Sequence, residues 1–176
     1  MARMILPPQR DPRLITIRRG GTLTDEDHRL IAQWAIDCSD HVLPLFQSVS
    51  QDTRPRQALD AGRAWIRGEM RMMDARQAAF ASNAAARDVT GSAKYAALSA
   101  GQAAAVPHVA AHDLGAAAYA IKAARASAPA SDAAASARAE RDWQRARLPD
   151  AIRNLVLDDQ RARSALCWNM FDDPEV

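Results

Sequence analysis

Apolar residues recur at spacings of three and four along most of the chain, a period typical of amphipathic helices. The first clear helix is expected to begin after Thr24, whose hydroxyl can accept a hydrogen bond from the first turn. Its apolar stripe consists of Ile31, Trp34, Cys38, Val42 and Leu45. Pro44 is expected to kink or end this helix, because proline lacks the backbone N–H that a helix uses.

Six further segments have helical composition or periodicity. They are expected at residues 54–70, 74–88, 92–100, 102–126, 132–147 and from 149 onward. Gly101 is expected to end the short helix at 92–100. Pro107 leaves two alternatives: a helix that begins near Val106, or one continuous helix with a kink. The core-facing side of the helix at 132–147 is expected to consist of Ala135, Ala139, Trp143 and Ala146.

The two ends of the chain lack helical periodicity. Residues 1–12 contain three prolines and are expected to form a mobile or draped arm, and residues 171–176 a loose tail. Residues 13–170 are expected to fold as a single domain. Alternation across residues 13–18 predicts one short strand, and no second good strand is present to build a sheet with it.

Composition agrees with a helical protein. Alanine, the strongest helix former, accounts for 40 of the 176 residues, and there are only seven glycines. The sequence therefore predicts an all-α fold: a compact bundle or array of about seven to eight helices with a short N-terminal extended segment. Two cysteines give no disulfide framework, and no apolar run approaches the ~20 residues that span a bilayer, so a cytoplasmic location is expected.

Two histidines, His108 and His112, are four residues apart, so on one helix both rings would face the same way. Imidazoles at that spacing can bind one zinc ion, with further ligands from other helices. A small helical-bundle metal-binding protein or metalloenzyme is therefore one interpretation. In the other, the histidines hydrogen-bond to neighbouring helices or line a groove, because the glutamate of the helical zinc-protease motif is absent.

A row of arginines on one side of a helix is the first candidate for partner binding, since arginine forks bind carboxylate or phosphate groups. The row consists of Arg56, Arg63, Arg67 and Arg71. Interspersed acidic residues also allow a solvated face held by ion pairs. The second candidate is a groove near His41, Arg87, His108 and His112.

Several function classes find no support in the sequence. A net charge of +2 with few aromatic residues argues against a general nucleic-acid binder. No phosphate loop, nucleophile elbow or other catalytic constellation is recognisable, so neither an enzyme nor a bound cofactor is expected. Small-residue helix faces also allow a third interpretation, a structural module that packs into a homodimer.

Several short segments, in their order along the chain, resemble a bacterial family of immunity proteins of the fifth-immunity-protein-like type. The segments are Arg13–Gly21, Trp34–Cys38 with His41–Pro44, Arg54–Ala58 with Ala64-Trp65, Ala84–Asp88, His108–His112 with Gly115–Ala117, and Trp143-Gln144 with Leu148-Pro149. The resemblance covers about residues 13–157. It implies a helical cytoplasmic protein of a polymorphic toxin system. Such a protein binds a cognate protein toxin and neutralises it by stoichiometric occlusion, without turnover.

Overall fold

The computed structural model describes residues 5–173, and within this range the protein is all-α. The seven α-helices of this range are α1 Asp25–Gln47, α2 Arg54–Ile66, α3 Met72–Ala85, α4 Gly91–Ala105, α5 Asp113–Ser127, α6 Ala133–Ala146 and α7 Asp150–Arg163. They confirm the expected helical bundle. No helix in the described range is long and apolar enough to span a membrane. Residues 1–4 of the expected arm and 174–176 of the expected tail lie outside the described residues.

The segment before α1 contains two short 3-10 turns, so the strand expected at residues 13–18 is wrong. The turns are Pro12–Leu14 and Ile17–Arg19, and an isolated β-bridge joins Thr16 to Leu23. Asp11 favours the first turn, because its Oδ1 accepts the backbone N–H of Arg13 at 2.8 Å. A single strand has no partner for its backbone groups, so local hydrogen bonds prevail over the alternating pattern.

Helix α1 begins as the sequence predicts and continues through its proline. Thr24 Oγ1 accepts the backbone N–H of Asp27 at 3.1 Å, and acidic residues fill the first turn. Pro44 does not end the helix, which continues to Gln47. The proline stands in the last turn, where the loss of one hydrogen bond costs less than in the middle of a helix.

Helix α4 forms the centre of the bundle, because it packs against α1, α2, α3 and α5. Its buried side chains are alanine and serine, together with Gly101, so neighbouring helices can approach closely. The expected end of this helix at residue 100 is wrong. Gly101 lies inside α4, and a Cβ atom there would stand 2.2 Å from Asn83 Oδ1 and 3.2 Å from the backbone oxygen of Ala79.

Gly101→Ala is expected to destabilise the protein by about 1–3 kcal/mol, because the added methyl group forces α3 and α4 apart. This cost exceeds the ~1 kcal/mol by which alanine favours a helix over glycine. Denaturant unfolding measures the difference. Gly62→Ala is the matched control, since its new Cβ would meet only the Ile36 side chain, whose Cδ1 lies 2.9 Å away. Unchanged or increased stability of Gly101→Ala would contradict the close packing.

Helix α6 turns a polar side towards the core, so the alanine side expected there is wrong. Ala135, Ala139 and Ala146 are exposed and Trp143 is half-buried, whereas the buried residues are Glu140, Arg141 and Gln144. Neighbouring helices supply polar partners. Trp34 Nε1 on α1 donates to the backbone oxygen of Gln144 at 2.9 Å, and Gln144 Nε2 donates to the backbone oxygen of Ala117 on α5 at 3.2 Å. Buried polar groups paired in this way avoid the cost of desolvation.

A buried ion cluster joins α7 to the start of α5. Asp113 is fully buried, and Asp159 and Arg163 are each 4% exposed. Arg163 pairs with Asp159 one helical turn away, and its Nη2 stands 3.4 Å from Asp113 Oδ1. The same guanidinium group donates to the backbone oxygen of Ala111 at 2.9 Å. Burial raises the pKa of the Asp113 carboxyl, and the negative charge of Asp159 raises it further.

Both ends of the described chain lie on the bundle. Ile5 and Phe171 are buried, with exposures of 6% and 3%. Arg163 Nη1 donates to the backbone oxygen of Ile5 at 3.5 Å. Arg145 Nη2 donates to the backbone oxygen of Phe171 at 2.8 Å. The first and last described residues therefore cover the core together with α7.

Candidate functional site

The clearest candidate for a binding site is a surface between α1 and α6, centred on a half-buried tryptophan. We call it the Trp143 surface, and it consists of Asp40, His41, Arg56, Arg63, Trp143 and Arg147. The rings of His41 and Trp143 are stacked, with centroids 3.7 Å apart and planes at 4° to one another. The guanidinium carbon of Arg147 lies 3.8 Å from the centroid of the same tryptophan. Such contacts hold the indole ring in one orientation.

A buried carboxylate fixes the histidine of this surface. His41 Nδ1 donates to Glu140 Oε2 at 2.7 Å, and the second oxygen of Glu140 accepts from Gln144 Nε2. The Glu140 side chain is only 4% exposed, whereas that of His41 is 41% exposed. The hydrogen bond to buried Glu140 therefore holds His41 in place, and its partly exposed side chain remains accessible to a partner.

Two of the four predicted arginines reach this surface through Asp40. Arg56 Nη1 lies 2.6 Å from Asp40 Oδ1, and Arg63 pairs with the other oxygen of the same carboxylate. Arg63 also pairs with Asp60 at 3.1 Å. Since Asp40 lines one cavity with His41 and Trp143, these two arginines lie at the edge of the stacked rings. Their guanidinium groups are partly neutralised, so the surface has mixed charge.

The other two arginines of the predicted row lie apart from it. Helix α2 ends at Ile66, so Arg67 and Arg71 do not continue its face. Arg67 pairs with Glu69 at 2.6 Å and Arg71 with Asp74 at 2.9 Å. All four of these side chains are substantially exposed, and ion pairs of this kind contribute little to stability. The single arginine row expected from the sequence is therefore wrong in its geometry.

The predicted groove near His41, Arg87, His108 and His112 is divided between different cavities. Arg87 and His112 line a cavity of about 490 Å³ together with Asn83, Lys94 and Gln102. His108 lines a separate cavity, and His41 lies on the Trp143 surface. The structure thus brings together only one pair of the four predicted groove residues.

His108 and His112 do not share a helix, so the premise of the predicted zinc pair is wrong. Helix α4 ends at Ala105, and the next regular element is the 3-10 turn Ala110–His112. Val106, the residue before Pro107, keeps helical backbone angles, but Pro107 has no N–H to continue the helical hydrogen bonds, and the chain turns and becomes extended at Val109. Neither alternative for this proline therefore holds. His108 Nδ1 lies 3.3 Å from Met72 Sδ, and His112 Nδ1 lies 2.8 Å from Gln102 Oε1.

The described residues contain no group of three or more histidine, cysteine, aspartate or glutamate side chains that could hold a metal ion. Burial lowers the pKa of His112 to about 4, and the charges of His108, Arg163 and Arg10 act in the same direction. The structure therefore places His112 as a neutral, hydrogen-bonded side chain at the wall of its cavity. His108 also has a lowered pKa, caused first by burial and then by nearby arginines.

His112→Gln is expected to remove part of the acid sensitivity of the fold. Unfolded histidine takes up a proton near pH 6.5, whereas folded His112 resists protonation until about pH 4. Neutral His112 therefore contributes fully to the free energy of unfolding above pH 6.5. This contribution is lost as the pH falls towards 4, and the loss is at most about 3 kcal/mol. Urea unfolding of both proteins between these pH values measures it.

The difference between variant and wild type isolates His112, because Asp113, whose raised pKa acts in the opposite direction, is present in both proteins. Glutamine keeps a hydrogen-bonding group towards Gln102. The stability of the variant should therefore fall less steeply with acidification than that of the wild type. Parallel profiles would show that His112 is protonated equally easily in the folded and unfolded states.

Groups near His41 that could act as nucleophiles include a thiol and two hydroxyls. Cys38, one helical turn before His41, is fully buried, and burial raises the pKa of its thiol well above the ordinary value. A thiol in that state is a poor nucleophile. Two serine hydroxyls line the neighbouring cavity, and both donate to the backbone oxygen of Ala124, Ser127 at 2.8 Å and Ser136 at 2.9 Å. The histidine–glutamate pair thus has no described nucleophile hydrogen-bonded to it.

On α6, sequence reasoning missed Glu140 and Arg147, and it assigned Trp143 to the core instead of the surface. Their spacing carried a signal, since residues 140, 143 and 147 follow the three-and-four period of one helix face. The prediction assigned Ala139, Trp143 and Ala146 to the buried side of α6, so it placed this face towards the core. Asp40 was also missed, because its role depends on the approach of α2 to α1.

The fold and the Trp143 surface are typical of a small helical binding domain, with an ordered aromatic ring, arginines and a polar rim. A family model described as Imm-5 like putative immunity protein matches residues 21–151. The chain belongs to this family. Comparison with curated proteins and with solved structures gives no match.

Proposed function

We propose that this protein is a cytoplasmic immunity protein of a bacterial polymorphic toxin system, which binds a cognate protein toxin and neutralises it by stoichiometric occlusion. The observation that carries the proposal is membership of the immunity family over residues 21–151. Occlusion requires a stable binding surface and no turnover. The anchored aromatic surface between α1 and α6 meets that requirement.

The toxin is proposed to bind at the Trp143 surface. Tryptophan and arginine are the residues that most often dominate binding energy, and they do so when neighbouring groups exclude water around them. Trp143 is held in place by His41 and Arg147 before any partner arrives. A preordered side chain loses little conformational entropy on binding, so more of its contact energy is available as affinity.

The polar rim of this surface has both signs of charge. Asp37 and Asp40 lie on α1 beside the stacked rings, and Arg147 lies on the opposite side. Burial raises the pKa of Asp37. A partner surface with an apolar centre and charges of both signs around it is therefore complementary to the Trp143 surface. Arg67, Arg71 and Arg87 lie outside this centre and are proposed as peripheral contacts at most.

The test is capture of the partner followed by neutralisation. The full chain is used as bait in its native lysate, and a single stoichiometric partner encoded beside its gene is expected. That partner should be toxic when expressed alone and harmless when co-expressed with the full chain. A co-expressed partner that remains toxic would overturn the proposal, and so would protection at amounts far below one chain per toxin.

A further inference from the structure

A cavity of about 520 Å³ lies between the segment before α1 and the turn that follows α4. We call it the basic cavity. Its charged and titratable lining residues are all potential cations: Arg10, Arg18, Arg19, His28 and His108. No aspartate or glutamate lines it within the described residues. In a chain whose formal net charge is only +2, this is a local concentration of positive charge.

The arginines of the basic cavity are only weakly compensated. Arg18 pairs with Asp25 at 2.8 Å, but both side chains are more than half exposed, so water screens the pair. Arg19 Nη1 reaches the backbone oxygen of His108 at 3.4 Å. Arg10 makes no ion pair with a carboxylate among residues 5–173. At least two guanidinium groups are therefore available to an anionic ligand.

The two histidines of the cavity supply shape and hydrogen bonds, and the charge comes from the arginines. His28 Nε2 donates to the backbone oxygen of Val106 at 2.8 Å, which orients its ring. Burial lowers the pKa of both His28 and His108, and Arg76, Arg19 and Arg10 add to the effect at His108. Arginine remains charged at any physiological pH, so the positive field of the cavity is permanent.

Apolar groups lie beside these charges. Trp65 meets the ring of His28 edge-on, with centroids 4.9 Å apart, and Met72 also lines the cavity. Ile15 and Val109 line the cavity as well. A ligand that fills the cavity therefore meets both guanidinium groups and apolar surface.

We propose that the basic cavity is a second contact site of the protein, which binds carboxylate side chains of an acidic segment on the partner. The inference rests on the proposed function in that the segment belongs to the toxin. Arginine forks match carboxylates in bidentate geometry. Nucleic acid fits less well, because single strands are usually bound on several stacking aromatics and this cavity holds one tryptophan.

Histidine signals can report on ligand binding in the basic cavity, because the chain has only four histidines. His28 and His108 line the basic cavity, whereas His41 and His112 lie elsewhere. Hexaglutamate is titrated into the full chain, and the four imidazole signals are followed by NMR, each assigned with a histidine-to-glutamine variant. The signals of His28 and His108 are expected to shift in a saturable way while that of His41 stays in place.

A charge-reversal variant supplies the control. Arg10→Glu with Arg19→Glu is expected to weaken hexaglutamate binding by at least about tenfold, since two attractive charges become repulsive. Both side chains are exposed, so the fold should be preserved, as circular dichroism verifies. Arg138→Glu, an exposed reversal on α6, should leave the affinity unchanged. Binding should also weaken as ionic strength rises towards about 0.15 M.

Two further probes decide the class of ligand. If inorganic phosphate or a single-stranded oligothymidylate shifts His28 and His108 and hexaglutamate does not, the carboxylate assignment is overturned. If no probe shifts them, the basic cavity is not an anion site. Toxin capture reports separately on the proposed function: a toxin bound equally well by wild type and by the double reversal overturns this site alone.

Discussion

Arg163→Met is expected to lower the free energy of unfolding by about 3–5 kcal/mol, because it leaves two buried carboxylates without their cation. Asp113 and Asp159 are both buried, and Arg163 is the arginine that pairs with each of them. The substitution also removes a hydrogen bond to the backbone oxygen of Ala111. Methionine fills a similar volume, so the loss reports on charge and hydrogen bonding more than on packing.

The structure supplies two comparisons for this result. Arg161→Met lies on the same helix, and Arg161 pairs with Asp158 while 70% of its side chain is exposed, so a change below about 1 kcal/mol is expected. Adding Asp113→Asn to Arg163→Met should restore part of the stability, since it removes one unpaired carboxylate. Denaturant unfolding at neutral pH measures all three. Equal effects at positions 161 and 163 would contradict the role of the buried cluster.

Trp143→Ala is expected to weaken toxin binding by more than ~2 kcal/mol, or roughly 30-fold, if the toxin binds where we propose. The substitution removes the ring on which His41 and Arg147 stack, so Arg147 loses this contact, whereas His41 keeps its hydrogen bond to Glu140. Isothermal titration with the captured toxin measures the affinity. Because Trp143 is half-buried, thermal unfolding is recorded alongside to show that the variant is folded.

The chain contains a matched control in Trp168. This tryptophan is also half-buried and also has a cation over its ring, since Lys122 Nζ lies 3.9 Å from the centroid. It lies after α7, away from the Trp143 surface. Trp168→Ala should therefore leave toxin affinity nearly unchanged. If the two variants bind alike, the toxin contacts another part of the protein.

The sequence predicted the elements whose signal is local. The stripe Ile31, Trp34, Cys38 and Val42 is buried as expected, and Thr24 caps α1. Prediction was weaker where one residue type fits several environments. In α6 the alanines carry little hydrophobic preference for one side, and the orientation is decided by Gln144 and Glu140, whose partners come from other helices. No pattern within α6 reveals those partners.

The sequence indicated several residues of the candidate site, but only part of their arrangement in space. Arg56, Arg63 and His41 lie on the Trp143 surface, because α2 packs against α1 and both arginines reach Asp40. Arg67 and Arg71 were separated from them by the end of α2, a break that Gly68 marks, since its backbone has the positive φ of 74° that favours glycine after a helix. His108 and His112 were separated by Pro107, whose effect on the following turn outweighs the four-residue spacing.

The position of Arg163 has a consequence for the synthesis of this protein. The residue bonds to groups that precede it by 50 and 158 positions, so these contacts cannot form until Arg163 itself has left the ribosome. At typical rates of about 5–20 residues per second, synthesis of the 50 residues from Asp113 to Arg163 takes roughly 2.5–10 s. Throughout that interval the carboxylate of Asp113 lacks its cation. A nascent chain therefore completes this buried ion cluster only after α7 has been synthesised.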